Sequence, residues 1–256
     1  MINDYPPYEN TNTIEIGRYL KPIEIYNFFT DEELDIIKNY PKDKLNTITD
    51  EVTNNFKKYQ LHGWYHHFNL DGDPFGITNL VSGDIWIKKV LNEKFEKYFF
   101  KGLDCLDCHI LESVYPYTFH HDINHKPLFH APNPAWTIII PLDNYNSYTI
   151  TTKQQPELNA SKTIGEWIKN ENPPKLNNCI SKEMWEQYLT HNDDTWFREY
   201  LELENIYKWK KNVAFASSRF SFHGSDNFLR CKDAGNEPNW RDNNYCKKAL
   251  ILWTSF

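Results

Sequence analysis

Short β-prone runs fall into two groups along this chain, with helical patterns ahead of them and inserted among them. That arrangement predicts a mainly β protein with flanking helices: a double-stranded β-helix, one form of jelly roll. Three observations carry the prediction. From residue 108 the hydrophobic period changes from helical to strand-like through HILESVYPY, AWTIIIPL and SYTITTKQ, with Asn, Pro and Asp at the breaks. After 155 the β pattern stops, and helical pieces follow at 163–169, 182–189 and 195–203. It then resumes in IYKWKKNVAFASSRFSFHGS and closes on CKKALILWTSF, which reads as a buried last strand. At 256 residues one domain suffices. Residues 1–107 form an N-terminal arm with supporting helices, 108–156 and 204–256 the jelly-roll core, and 157–203 a helical insertion.

The N-terminal elements follow from local signals. Residues 1–20 are rich in Pro and Asn, with one short strand at TIEIG. Thr30 with Glu33 makes a capping box, so a helix opens at Asp31 and runs to about Asn39. Leu34, Ile36 and Ile37 supply its apolar face, and Pro41 stops it. Residues 42–83 resist assignment, except that WYHHFNLDGDPFG reads as a strand followed by a turn. A second helix, capped by Ser82 or Asp84, carries Ile85, Ile87, Val90, Leu91, Phe95 and Tyr98 at helical spacing through Phe100.

Composition narrows the function classes. The net charge is −7 and the basic residues are dispersed, which disfavours a duplex nucleic-acid partner. No apolar run is long enough to span a bilayer, and MINDYPPYENTNT lacks the layout of a secretory signal. Five cysteines suit a reducing compartment better than a disulfide framework, so the expected location is cytoplasmic. Cys105 and Cys108 make a lone C-x-x-C; Cys231 and Cys246 are poorly spaced to complete a zinc site, so buried thiols are the simpler reading.

The chemistry concentrates in residues 111–146. His120-His121-Asp122 reads as H-x-D, and on an extended strand residues i and i+2 share a face, so an imidazole and a carboxylate can hold one metal ion from the same side. His223, at the end of another β-like run, supplies the third ligand. Two His and one carboxylate form the facial set of non-haem Fe(II) oxygenases, with positions left open for cosubstrate and oxygen. Among ten histidines one such triplet arises by chance, and His191-Asn192-Asp193 is a second. That one lies in a polar linker, where Asn192 or Asp193 serves more simply as a helix N-cap. Strand context favours His120 and Asp122, with His121 turned to the other face.

The order of these features resembles the Fe(II)- and 2-oxoglutarate-dependent dioxygenases, in particular the phytanoyl-CoA dioxygenase-like and prolyl 4-hydroxylase-like branches. The resemblance runs from about residue 22 to the C-terminus. It rests on the H-x-D, the Thr-bearing strand ending Pro141-Leu142-Asp143, the stretch His223-Gly224-Ser225 and the strand Lys247-Lys248-Ala249-Leu250. It implies Fe(II), 2-oxoglutarate and O2 as cofactor and cosubstrates, with oxidative decarboxylation to succinate and carbon dioxide. It also implies a cation for the far carboxylate of 2-oxoglutarate. Lys247 is preferred because a strand residue is held rigidly, Lys248 points the opposite way, and Arg230 or Arg241 are the loop alternatives. The phytanoyl-type enzymes usually carry Arg at the Lys247 position, and the loop at 229–245 is additional. Tyr115, Thr137 and Asn227 are candidate donors to the cosubstrate. Trp136, His125 and His130 are candidates for the substrate pocket. A small-molecule or peptidyl substrate is expected, and oligomeric state is not readable. The competing readings are a jelly-roll binding module and a cupin-type metalloprotein without 2-oxoglutarate chemistry.

Overall fold

The computed structural model describes residues 17–18, 20–54, 57–68, 85–114, 116–122, 134–156, 164–190, 195–228 and 246–256. The TIEIG run apart from Gly17, both proposed caps of the second helix, Tyr115, His125, His130, His191, Arg230 and Arg241 lie outside the described residues.

Strand β1 (Ile23–Tyr26) leads into α1 (Asp31–Lys38), whose capping box forms as read: Glu33 N donates to Thr30 Oγ1 at 3.1 Å and Thr30 N donates to Glu33 Oε2 at 2.7 Å. Leu34 and Ile37 are buried, whereas Ile36 is 45% exposed. Two helical steps place Ile36 about 200° around the axis from Leu34, so it cannot share the inward face. A hairpin follows, β2 (Asn46–Asn54) and β3 (Lys57–His67), and it occupies much of the stretch that resisted assignment. Helix α2 (Ile85–Tyr98) buries Ile87, Leu91 and Phe95, one turn apart each.

The remaining strands are β4 (Asp104–Ser113), β5 (Pro134–Pro141), β6 (Tyr148–Thr152), β7 (Leu203–Lys208), β8 (Val213–Ser218), β9 (His223–Ser225) and β10 (Lys247–Ser255). Between β6 and β7 lie α3 (Ile164–Glu171), α4 (Lys182–Tyr188) and a 3-10 turn at Thr195–Tyr200, where the helical insertion was expected. The strands make two antiparallel sheets: seven strands in the order β1-β8-β5-β10-β4-β3-β2, and three in the order β7-β6-β9.

Strand alternation sorts side chains between the layers. On β10, Ala249 and Ile251 meet Tyr207 of β7 and Phe215 of β8 in the space between the sheets, while Leu250 and Leu252 face α1 and α2 with Ile110, Ile138 and Ile140. A third cluster, Ile150 and Phe222 with Ile164, Trp167 and Trp185, seats the insertion on the outer face of the small sheet. Alternation corrects one expectation. Trp136 points to the helix side, against Phe99 at 5.1 Å and Phe100 at 5.7 Å between ring centroids, because its neighbour Thr137 takes the opposite face. Trp136 fills the core and does not wall the site. Trp136→Ala should therefore cost about 3–5 kcal/mol of stability in denaturant unfolding and leave metal affinity unchanged.

Candidate metal centre

The H-x-D segment is attached to β9. His120 N donates to His223 O at 2.9 Å and His223 N donates to His120 O at 2.8 Å, a closed antiparallel bridge. One step on, Ser225 N donates to Tyr117 O at 3.0 Å. The approach needs Gly224: a Cβ there would lie 3.2 Å from Tyr117 O and 3.3 Å from Phe119 N, and both are backbone atoms. The glycine of the His-Gly-Ser stretch thus lets residues 117–120 reach β9.

Backbone carbonyls then fix both imidazoles. His120 Nδ1 lies 2.8 Å from Thr118 O, and His223 Nδ1 lies 3.2 Å from Ser221 O. A carbonyl only accepts, so each Nδ1 carries the proton and each Nε2 presents a lone pair. The two rings stand 4.5 Å apart between centroids, and His223 Nε2 is 3.4 Å from Asp122 Oδ2. One ligand atom from each of His120, Asp122 and His223 fits within a mutual 4.8 Å. This donor set suits Fe(II): two neutral nitrogens and one anionic oxygen, all on one side of the ion. Asp122 is held from both ends. Thr137 Oγ1 donates to Asp122 Oδ2, while Asp122 N donates to Arg219 O at 3.1 Å and Arg219 Nη2 donates to Asp122 O at 2.7 Å. Arg219 is buried and also reaches Thr254 O at 3.3 Å. Burial lowers its guanidinium pKa, opposed by the charges of Asp122 and Asp107.

A buried cation sits between the same two sheets. Lys247 Nζ donates to Ser147 Oγ at 3.0 Å and Ser225 Oγ at 3.3 Å, and lies 4.0 Å from the Trp209 ring centre and 4.5 Å from that of Phe228. Burial pushes its ammonium down to about 7, with partial relief from Asp226. Asp226 in turn accepts from Ser147 at 2.6 Å. Lys248 points to the opposite face and pairs with Glu112 at 3.0 Å, as alternation requires.

The structure thus brings together His120, Asp122, His223 and Thr137, with Lys247 near Ser225, two residues beyond His223. Asn227 is engaged elsewhere: its side chain donates to Thr190 at 2.9 Å and its backbone N–H to Tyr188 O at 2.7 Å. His121 is buried against Phe222 at 5.5 Å between ring centroids. Sequence reasoning missed Arg219, Ser147 and Ser225 as supporting residues. It also missed a second His–Asp–His group, His67, Asp107 and His109, whose D-x-H spacing on β4 carries the same two-residue signal as the H-x-D.

Thr137 was expected to serve the cosubstrate, but in the structure it bonds the carboxylate of Asp122. Thr137→Val should therefore weaken divalent-metal binding about 10- to 100-fold while folding is retained. The check is a Co(II) titration beside a melting curve.

No protein-family model and no curated protein matches the sequence. Solved structures do. An oxidoreductase of the 2OG-Fe(II) oxygenase family from Burkholderia pseudomallei superposes with a TM-score of 0.50 at 10% identity, covering 98% of this chain and 93% of that one. SnoK, a non-heme alpha ketoglutarate dependent carbocyclase from nogalamycin biosynthesis, gives 0.50 at 9% identity over 96% and 83%. At these identities the likeness is one of fold: the chain shares the architecture of structures described as 2OG-Fe(II) and alpha-ketoglutarate-dependent enzymes.

Proposed function

We propose that this chain is an Fe(II)- and 2-oxoglutarate-dependent oxygenase that hydroxylates a small-molecule or peptidyl substrate. One observation carries the reading. A two-imidazole, one-carboxylate set lies beside a buried lysine that contacts no carboxylate among the described residues, and both are held between the two sheets. The sheet order supports it, since two antiparallel sheets, one holding β8-β5-β10-β4 and the other β7-β6-β9, are consistent with a jelly-roll-like core.

When bound, iron with 2-oxoglutarate and oxygen supplies the oxidising chemistry, releasing succinate and carbon dioxide. The residues of the chain divide the remaining work. His120 and His223 offer nitrogen lone pairs, and Asp122 offers negative charge to offset part of the metal's own. Thr137 and Arg219 hold Asp122 in place. Lys247 pairs with the far carboxylate of 2-oxoglutarate, with the hydroxyls of Ser147 and Ser225 completing the cradle. Trp209 and Phe228 exclude water from that ion pair, which strengthens it. Among the described residues no helix is long and apolar enough to cross a membrane.

Anaerobic addition of Fe(II) and 2-oxoglutarate should produce a weak visible charge-transfer band, and admission of oxygen should yield succinate. His223→Ala should lose both. A protein that binds Fe(II) but gives neither band nor succinate is not this enzyme.

Lys247 makes cosubstrate affinity depend on pH. In the free protein its ammonium titrates at about 7, so above that pH binding of the dianion requires uptake of a proton. The affinity for 2-oxoglutarate should fall with rising pH above about 7, by up to about tenfold per unit. Lys247→Met should bind weakly and lose that slope. Fold stability runs the other way. The unfolded lysine holds its proton to about 10.4, so between those values the unfolded chain binds more protons and stability rises with pH. Titrations of the charge-transfer band at several pH values, beside denaturant melts, read both slopes.

A further inference from the structure

The second His–Asp–His group is wired differently from the first. His67 Nδ1 lies 2.8 Å from Asp107 Oδ1 and His109 Nδ1 lies 2.6 Å from Asp107 Oδ2, so one carboxylate clamps two rings, one on each oxygen. All three residues are buried, with His109 at 1% exposure and Asp107 at 2%. Burial would raise the Asp107 carboxyl, but the two imidazoles more than reverse this and hold it well below the usual carboxylate range. An ionised carboxylate only accepts, so both Nδ1 atoms carry protons. Burial also lowers the His109 pKa, against the pull of Asp107, which leaves that ring neutral with a lone pair on Nε2. Among the described residues His109 Nε2 has no hydrogen-bond partner.

In the first group the Nδ1 atoms are tied to backbone carbonyls, so orienting the rings does not use the carboxylate. Here the carboxylate is already spent on the two Nδ1 protons. Its contacts of 2.6 and 2.8 Å are also shorter than the roughly 3.3 Å edge of a tetrahedral site with bonds of about 2.0–2.1 Å. The geometry is that of an oriented acceptor, with a carboxylate behind each imidazole.

That acceptor faces the proposed reaction chamber. Thr137, Trp253 and Asp107 are directly opposed on β5, β10 and β4, and Ile251, His109 and His67 form the adjacent row on β10, β4 and β3. Asp107 therefore lies two strand spacings, about 10 Å, from the Thr137 that holds Asp122. Rings bridge the gap. Tyr65 stacks on His67 and meets His109 edge-on, and its hydroxyl donates to Tyr117 Oη at 2.9 Å; Tyr117 in turn lies 5.8 Å from His120 between centroids. On the other side Trp253 stands edge-on to His109 at 5.7 Å. Arg219 lies over Trp253 at 5.6 Å, and its charge is felt by both Asp122 and Asp107.

We propose that His109, oriented by Asp107 together with His67, is the substrate-recognition wall of this site, and that it takes a neutral hydroxylated ring. Nε2 accepts a hydrogen bond from a ring hydroxyl while the ring's carbon face lies against Trp253 and Tyr65. The buried Asp107 carboxylate disfavours an incoming carboxylate, and a bare Nε2 calls for a hydrogen-bond donor such as a neutral alcohol. The inference rests on the oxygenase reading and supplies its substrate class.

The test uses full-length protein with isotope-labelled histidine, loaded with Zn(II) and 2-oxoglutarate so that no turnover occurs, and read by imidazole nitrogen NMR. His109→Gln assigns the ring. The expected free state is an Nδ1–H tautomer with a bare Nε2 at His109. Addition of a vicinal cyclohexanediol should shift that Nε2 signal, and its dimethyl ether should not. Asp107→Asn should weaken the diol response about five- to tenfold, the worth of one neutral hydrogen bond, with the overall spectrum retained. Three outcomes overturn the proposal: an Nε2–H tautomer, an equal or absent response to diol and ether while Zn(II) and 2-oxoglutarate remain bound, or a second equivalent of Zn(II) captured by His67 and His109. Failure of the protein to bind Zn(II) with 2-oxoglutarate at all sinks the oxygenase reading first, and this inference with it.

Discussion

The bridge between His120 and His223 is the contact on which the site depends. It joins two segments from opposite halves of the chain through a mutual pair of backbone hydrogen bonds. Two imidazoles carried on directly opposed residues of an antiparallel pair are neighbours by construction. Their separation is then set by the backbone, not by side-chain packing. Asp122 follows two residues later and is caught by Thr137 and Arg219, both belonging to the large sheet or the turn after it. The triad therefore straddles the two sheets, and the inter-sheet packing of Ile139, Tyr207, Phe215 and Ile251 keeps its halves in register. A void in that layer would loosen the site without touching any member of it.

The same residue types do opposite things in the two His–Asp–His groups, and the difference lies in what each Nδ1 touches. Backbone carbonyls at Thr118 and Ser221 orient rings without consuming the carboxylate. Asp107 orients its rings by consuming itself. Composition and spacing cannot separate these cases, because D-x-H on β4 and H-x-D before β5 both put their side chains on one face. The discriminating atoms are carbonyl oxygens, which have no sequence signature.

That limit describes how legible the chain was. Alternation alone placed His120 with Asp122, turned His121 away, and separated Lys247 from Lys248, and the contacts of these residues in the structure agree with all three placements. The same rule should have excluded Trp136 once Thr137 was assigned to the site, since adjacent strand residues cannot share a face. The helical period likewise should have excluded Ile36 from the inward stripe of α1. The β2–β3 hairpin was illegible for a different reason. NTITDEVTN is polar, with only Ile48 and Val52 as apolar punctuation, and its pairing is set by tertiary contact with β4 through β3. Arg219 was invisible because its main work is done on the carbonyls of Asp122 and Thr254.

Lys247 shows what the fold gives up for this arrangement. A lysine ammonium between two serine hydroxyls and two aromatic rings is poorly solvated, and burial has moved its pKa far from that of an exposed lysine. A carboxylate at position 147 or 225 would pair with it, raise its pKa and stabilise the protein. On the proposed reading it would also occupy the volume and cancel the charge that an incoming dicarboxylate needs. Serine at both positions offers hydroxyls that can turn toward either the ammonium or an anion, while Asp226 stays one hydroxyl away and acts on Lys247 only at longer range. Among the described residues no carboxylate contacts Lys247, and its burial costs stability, which is the arrangement the proposed binding cradle requires.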